Sequence, residues 1–191
     1  MYQRLLREAS FFELLLRFDE DLAREVREAG CACGGVLHSA RYPRKPRGGP
    51  ESLGREHSIR ASFCCAEDGC RRRTTPPSLR FFGRKVFFGV VVLLLPILRD
   101  GPSPARLRRL EQRFAVSRRT LYRWRAWWRE VVPRSRWWQE ERGHWAKAVD
   151  PEQLPGSLLA VFSGIEAVPD RVIAVLRRLA SLSYRRAEHV I

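Results

Sequence analysis

Four of the five cysteines in this chain fall into two tight pairs, which limits what it can fold into more than any other feature. Cys31 and Cys33 lie in Cys-Ala-Cys-Gly-Gly. Cys64 or Cys65 pairs with Cys70 in Cys-Cys-Ala-Glu-Asp-Gly-Cys, and about thirty basic, Gly- and Pro-rich residues separate the pairs. Two short turns that each offer two thiolates to one tetrahedral ion have the layout of a zinc ribbon. Gly34 and Gly35 follow the first pair and Gly69 precedes Cys70. Glycine suits such turns because it accepts positive φ, and the turn amides can then donate to the sulfurs. The preferred ligands are Cys31, Cys33, Cys65 and Cys70, with Cys64 a rival to Cys65 and His38 or His57 as substitutes. The spacing is unusual, with one residue inside the first pair and four inside the second. Four filled positions leave no place for water, so a Zn²⁺ ion here is expected to be structural and to hold residues 31–73 folded.

The formal net charge of +15 exceeds what solubility requires and points to a polyanionic partner, because arginines that meet phosphates release condensed counterions. A GC-rich genome accounts for arginine over lysine but not for the excess over acidic residues. That excess is localised: residues 1–30 sum to −2, 31–100 to +8, 101–142 to +8 and 143–191 to +1. Hydrophobic content of 45% argues against disorder. The apolar run Val86–Leu98 is thirteen residues long and interrupted by Pro96, too short to span a bilayer. No secretory signal is visible, so a cytoplasmic, nucleoid-associated location is expected, where metal ligation outranks disulfides.

The expected fold is mainly α with a small β zinc ribbon. Residues 1–30 read as an N-terminal helix, with Leu5, Leu6, Phe12, Leu15, Leu16, Leu22 and Val26 as a broad apolar stripe and Gly30 as a stop. Residues 31–99 hold the ribbon and a following apolar helix, with an extended loop from Arg41 to Pro50 in the ribbon's middle. Residues 100–136 hold a helix-turn-helix, with Ser103 as an N-cap. Residues 137–191 read as an irregular linker, to about 156, and a C-terminal amphipathic helix from about Pro169 to Leu182.

In the helix-turn-helix region, Leu107, Leu110 and Phe114 share one helical face. Ala115-Val116 makes a short turn with an apolar pin, and Ser117 is the N-cap of a second helix that buries Leu121, Trp124 and Trp128. A second helix of this kind enters the major groove, where Arg118, Arg119 and Arg123 would meet guanine edges or phosphates. Ser117, Thr120 and Tyr122 complete the candidate surface. Arg44, Lys45 and Arg47 on the Pro-rich loop, and Arg71, Arg72 and Arg73 after the last cysteine, are candidate phosphate contacts beside the ribbon. The six tryptophans read as core or interface anchors.

The run Cys31–Gly35, followed by Phe63-Cys-Cys-Ala-Glu-Asp-Gly-Cys-Arg-Arg-Arg-Thr-Thr-Pro-Pro-Ser-Leu-Arg-Phe-Phe82, resembles the zinc-ribbon region of bacterial insertion-sequence transposases. It is also similar to small transposon-associated DNA-binding proteins. The resemblance covers about residues 30–130 and implies recognition of transposon-end or operator DNA alongside a transposase or recombinase. Such transposases cut DNA with three carboxylates and two metal ions. Asp100, Asp150, Glu152, Glu166 and Asp170 are scattered, and His144 and Ser157 lack triad partners. A non-catalytic, double-stranded-DNA-binding accessory or regulator of a mobile element is therefore expected. The alternatives are a truncated transposase or nuclease, and an RNA-binding scaffold.

Overall fold

Helix formation begins at the N-terminus in two pieces rather than the single helix expected. The computed structural model describes residues 2–83, 85–95, 104–145 and 149–183. Helix α1 (Tyr2–Leu5) ends in a turn, with the Arg7 amide on the Arg4 carbonyl at 2.9 Å, and helix α2 (Ala9–Ala29) follows. The turn drives Leu5 and Leu6 inward, which outweighs helical continuity. Gly30 stops α2 at φ 73°. Along α2, Phe11, Phe12 and Leu15 enter the main core, whereas Ala23 and Val26 pack on a second, smaller cluster of Cys31, Leu37, Phe63 and Cys65.

That smaller cluster belongs to a three-stranded antiparallel sheet of β1 (Leu37–Ser39), β4 (Phe63–Cys65) and β5 (Arg73–Thr74), in the order β1-β4-β5. Leu37 faces Cys65 and His38 faces Cys64 in the register. Strands β2 (Tyr42–Pro43) and β3 (Ile59–Arg60) form a separate antiparallel pair within the long connection between β1 and β4.

The joint between these strands and the rest of the chain is a buried polar network. Asp19 on α2 accepts from the Ser78 hydroxyl (2.5 Å), the Leu79 amide (2.6 Å) and Arg80 Nε (2.8 Å). Arg80 in turn donates to the carbonyls of His57 (2.9 Å) and Ile59 (3.0 Å). Both ends of this ion pair are 3% exposed. Such pairs persist only when every remaining donor and acceptor is used, and here they are. Beside it, the guanidinium of Arg44 stands 5.1 Å, that of Arg60 5.9 Å and that of Arg80 5.0 Å from the centre of the Phe81 ring.

Beyond this joint the chain is helical. Helix α3 (Gly89–Leu94) is buried on all sides, which is why its stretch of sequence shows no periodicity. Helix α4 (Pro104–Phe114) and helix α5 (Arg118–Ala126) are joined by a tight turn, with Ala115 at φ 49° and Val116 fully buried. One π-helical turn, Trp127–Val131, extends α5. The inserted residue lets adjacent tryptophans pack together: Trp127 and Trp128 both lie 6.5 Å from Phe82, and Trp128 Nε1 donates to the Val92 carbonyl at 3.0 Å.

The expected irregular linker over 137–156 is not what forms. Helix α6 (Arg136–Trp145), a 3₁₀ turn (Pro151–Gln153) and helix α7 (Gly156–Val161) occupy the region, before helix α8 (Val168–Leu179) and a final 3₁₀ turn (Ala180–Ser183). Ser135 caps α6 by accepting from the Trp138 amide at 3.2 Å. Trp137, Trp138 and Trp145 then pack edge to face or tilted, and Trp137 Nε1 bonds the Arg178 carbonyl at 2.9 Å. Leu158, Leu159, Val172 and Leu176 share one core with Phe12 and Phe88, so residues 137–145 and 149–183 are an integral part of that core rather than an irregular linker and a single helix. Arg177 of α8 lies 4.3 Å over the Phe18 ring, closing α2 from its other side. The N-cap expected at Ser103 lies outside the described residues.

Replacing Asp19 with Ala strands the Arg80 guanidinium in the interior, and about 3–5 kcal/mol of unfolding free energy should be lost in denaturant titrations. The double variant Asp19→Leu, Arg80→Met should recover part of it. His57 supplies a second check. Burial holds its pKa below the ordinary 6.5, with Arg80 reinforcing the shift and Glu56, Glu13 and Glu20 opposing it. The folded protein keeps this ring neutral while the unfolded chain takes up a proton as pH falls below about 6.5. Stability should thus drop on acidification through that range, and less so in His57→Gln.

Candidate metal centre and the basic helix

The first cysteine turn closes directly after α2. The Cys31 amide donates to the Gly35 carbonyl (3.0 Å) and the Gly34 amide to the Cys31 carbonyl (2.8 Å), with Gly34 at φ 85°. Gly35 is needed for a different reason: a Cβ there would come within 2.8 Å of Cys65 Sγ. The second turn starts on β4. The Cys65 amide bonds the Arg72 carbonyl (2.9 Å), the Cys70 amide bonds the Glu67 carbonyl (3.0 Å), and Arg71 takes the left-handed conformation at φ 45°. Gly69, expected to ease this turn, has no neighbour within 4 Å of where a Cβ would stand. The adjoining Ala66 amide reaches the Val36 carbonyl at 2.9 Å and ties the two turns together.

Four sulfurs converge as a result. Those of Cys31, Cys33, Cys65 and Cys70 lie within 4.8 Å of one another, with Cys31–Cys70 at 3.7 Å and Cys33–Cys65 at 3.5 Å. A tetrahedral ion with metal–sulfur bonds of ~2.3 Å needs sulfurs ~3.8 Å apart, so the set fits a single thiolate-loving ion. Strand alternation separates the rival cysteines: Cys65 points into the cluster, while Cys64 Sγ turns to the Arg71 carbonyl at 3.5 Å. His38 is exposed opposite Cys64 and His57 is buried near Arg80, so neither substitutes as a ligand in this cluster. A recess of about 500 Å³ lined by Cys33, Gly34, Gly35, Glu67, Gly69 and Cys70 opens one side to solvent.

Crowding shapes the thiols. The Cys33 amide and thiol donate to Cys31 and bring it down to about 7 against the opposing effect of burial. At Cys65 the Glu67 amide favours the thiolate, but burial and the three neighbouring sulfurs push it up to about 12. Cys70 is likewise raised: the Arg72 amide lowers it, and Cys33, Cys31 and burial outweigh that. One sulfur thus ionises readily while Cys65 and Cys70 keep protons until a cation replaces them.

Helix α5 begins as the sequence suggests. Ser117 Oγ accepts from the Thr120 amide (3.3 Å) and shares a contact with Thr120 Oγ1 (3.0 Å), so both hydroxyls serve the cap. Leu121 and Trp124 are buried behind it. Arg119, Tyr122 and Arg123 are exposed, and Tyr122 keeps 53% of its surface. Arg118 is held back, with its amide and Nε bonded to Glu111 on α4 at 3.0 and 3.2 Å. Among the loop residues, Lys45 and Arg47 are exposed, whereas Arg44 spends its guanidinium on the carbonyls of Gly83 (2.9 Å) and Lys85 (2.7 Å). Arg71 pairs with Asp68, while Arg72 and Arg73 are exposed.

The acidic residues stand apart. Asp150 caps a turn by accepting from the Glu152 amide (2.9 Å), and Ser157 Oγ donates to the Asp150 carbonyl (2.7 Å). Glu166, Asp170 and His144 are exposed, and Asp100 lies outside the described residues. Lys85, which the sequence reading did not single out, lies 4.0 Å over the Trp127 ring. It escaped notice because it interrupts an apolar run instead of joining a basic one.

Loading a divalent metal at neutral pH should release the protons of Cys65 and Cys70, so affinity falls steeply on acidification; buffered-calorimetry titrations measure both. Cys65→Ser should abolish tight binding and Cys64→Ser should leave it intact. No family model matches this chain, and no curated protein or solved structure does either.

Proposed function

We propose that the protein is a non-catalytic DNA-binding protein, in which residues 31–73 form a zinc ribbon and α4–α5 form a helix-turn-helix. Zinc is the metal favoured because four thiolates and no imidazole or carboxylate make up the set. The observation that carries the reading is the outer face of α5. Arg119, Tyr122 and Arg123 are exposed on its first turns and form no ion pair among the described residues. Elsewhere on the surface Arg136 is paired with Glu140 at 2.9 Å, at a helical spacing that stabilises the helix itself. Unpaired guanidiniums near a capped helix start instead suit phosphates and guanine edges.

The further step, to an accessory or regulator of a mobile element acting with a transposase or recombinase, rests on the resemblance of residues 30–130 to insertion-sequence zinc ribbons. A cytoplasmic, nucleoid-associated location would follow from the same reading. Among the described residues no helix is long and apolar enough to cross a membrane.

Anisotropy titrations with labelled duplex, single strands and structured RNA across a salt series provide the test. Duplex should bind tightest and weaken linearly in log–log salt plots. Arg119→Ala should cost ~1–3 kcal/mol and relax sequence preference if the side chain contacts a base, or weaken all duplexes equally if it contacts phosphate. Preference for structured RNA, or Mg²⁺-dependent cutting lost in Asp150→Ala, would overturn the proposal.

A further inference from the structure

Gly83 and residues 85–88 form the seam where the basic loop meets the helix pair. From the loop, Arg44 binds the carbonyls of Gly83 and Lys85, the Arg47 amide bonds the Val86 carbonyl (2.8 Å), and the Phe88 amide bonds the Arg47 carbonyl (3.1 Å). From the helix side, Phe87 meets Trp124 edge to face at 5.0 Å. The seam is therefore fixed by backbone bonds on one flank and aromatic packing on the other.

Lys85 projects from this seam onto the Trp127 ring, 4.0 Å from its centre. Its ammonium has no hydrogen bond and no ion pair among the described residues. The charge that acts on it is Arg123 of α5, a like charge, whose guanidinium is anchored by Thr120 Oγ1 at 3.3 Å. Burial first, and Arg123 second, bring the Lys85 ammonium down to about 8. An indole face attracts a cation but does not neutralise it. Arg123 stands one turn before Trp127, whose amide bonds the Arg123 carbonyl, so Arg123 shares a helix face with the ring that carries Lys85. Two cations on that face, the half-buried Lys85 and the exposed Arg123, with no carboxylate paired to either among the described residues, form a site that an oxyanion completes.

We propose that Lys85 and Arg123 grip a single backbone phosphate of the bound duplex beside Trp127, so that the seam is itself a DNA contact. The inference rests on the DNA-binding reading of α5 and extends it to a residue outside both basic clusters. A phosphodiester suits the pair, because its two unbridged oxygens can accept one from the ammonium and one from the guanidinium. The contact carries no sequence information; it sets the register of α5 against the ribbon loop.

The test uses the full metal-loaded chain and a labelled mixed-sequence duplex. Lys85→Met should bind about tenfold more weakly near 0.1 M salt, equally for every sequence, with a salt slope shallower by about one. Melting and metal content establish that the variant is folded. Wild-type affinity should also fall between about pH 7.5 and about pH 9.5, as the free ammonium loses the proton that the phosphate would retain, whereas Lys85→Arg should stay flat. Equal affinity and slope for Lys85→Met and wild type would overturn the site while leaving α5 as the DNA helix. The same alkaline decline in Lys85→Arg would also overturn it. A wild-type chain that binds no duplex overturns the DNA reading and this inference together.

Discussion

One carboxylate holds the two halves of this molecule in register. Asp19, midway along α2, gathers the Ser78 hydroxyl, the Leu79 amide and the Arg80 guanidinium, and Arg80 hands the connection on to the backbone at Glu56, His57 and Ile59. Apart from that network, the helix packs on the strand region through Ala23, Val26 and a small apolar cluster. With it, the four-cysteine cluster at the end of α2 and the aromatic core around Phe88 become parts of one body. An apolar pair of similar size would fill the space, but it would leave the carbonyls on β3's approach without donors.

The strand region has little else to hold it. The buried residues of its small cluster are Cys31, Leu37, Phe63 and Cys65, joined by Ala23 of α2, and its strands are two or three residues long. A sheet of that size is marginal without covalent or metal cross-links. The convergence of four sulfurs at the free end and the Asp19 network at the other end divide the task between them. The open recess at Cys33 and Glu67 leaves the sulfurs within reach of solvent, whereas the Asp19 end is dry.

Much of this was legible in the sequence, for identifiable reasons. Cysteine spacing survives any detail of folding, so Cys31, Cys33 and Cys70 could be placed together from the chain alone. Choosing Cys65 over Cys64 needed only the knowledge of which face of β4 looks inward. The Ser117 cap and the Leu121–Trp124 stripe are local signals, and α5 forms as they require. What escaped detection is tertiary. Residues 137–145 carry three tryptophans with no clean periodicity, and their helix becomes evident once Trp137, Trp138 and Trp145 are seen to pack together. Asp19 looked like one more charge on an acidic helix, and Arg44 looked like one more loop cation. Nothing in the neighbouring residues distinguishes an arginine that faces water from one that caps a carbonyl.

That last point bears on the unusual choice of arginine over lysine. Arg44, Arg60 and Arg80 surround Phe81 and between them saturate carbonyls at Gly83, Lys85, Pro76, Pro77, Glu56, His57 and Ile59. In a region with so little ladder pairing, planar forks do the work that neighbouring strands do elsewhere. A lysine ammonium, with tetrahedral donors on a single atom, cannot reach carbonyls from several residues at once. Mutational drift toward AT-rich codons could therefore exchange solvated arginines away from the α5 face for lysines with little cost, yet at these three places the same conservative-looking change would empty the scaffold from within.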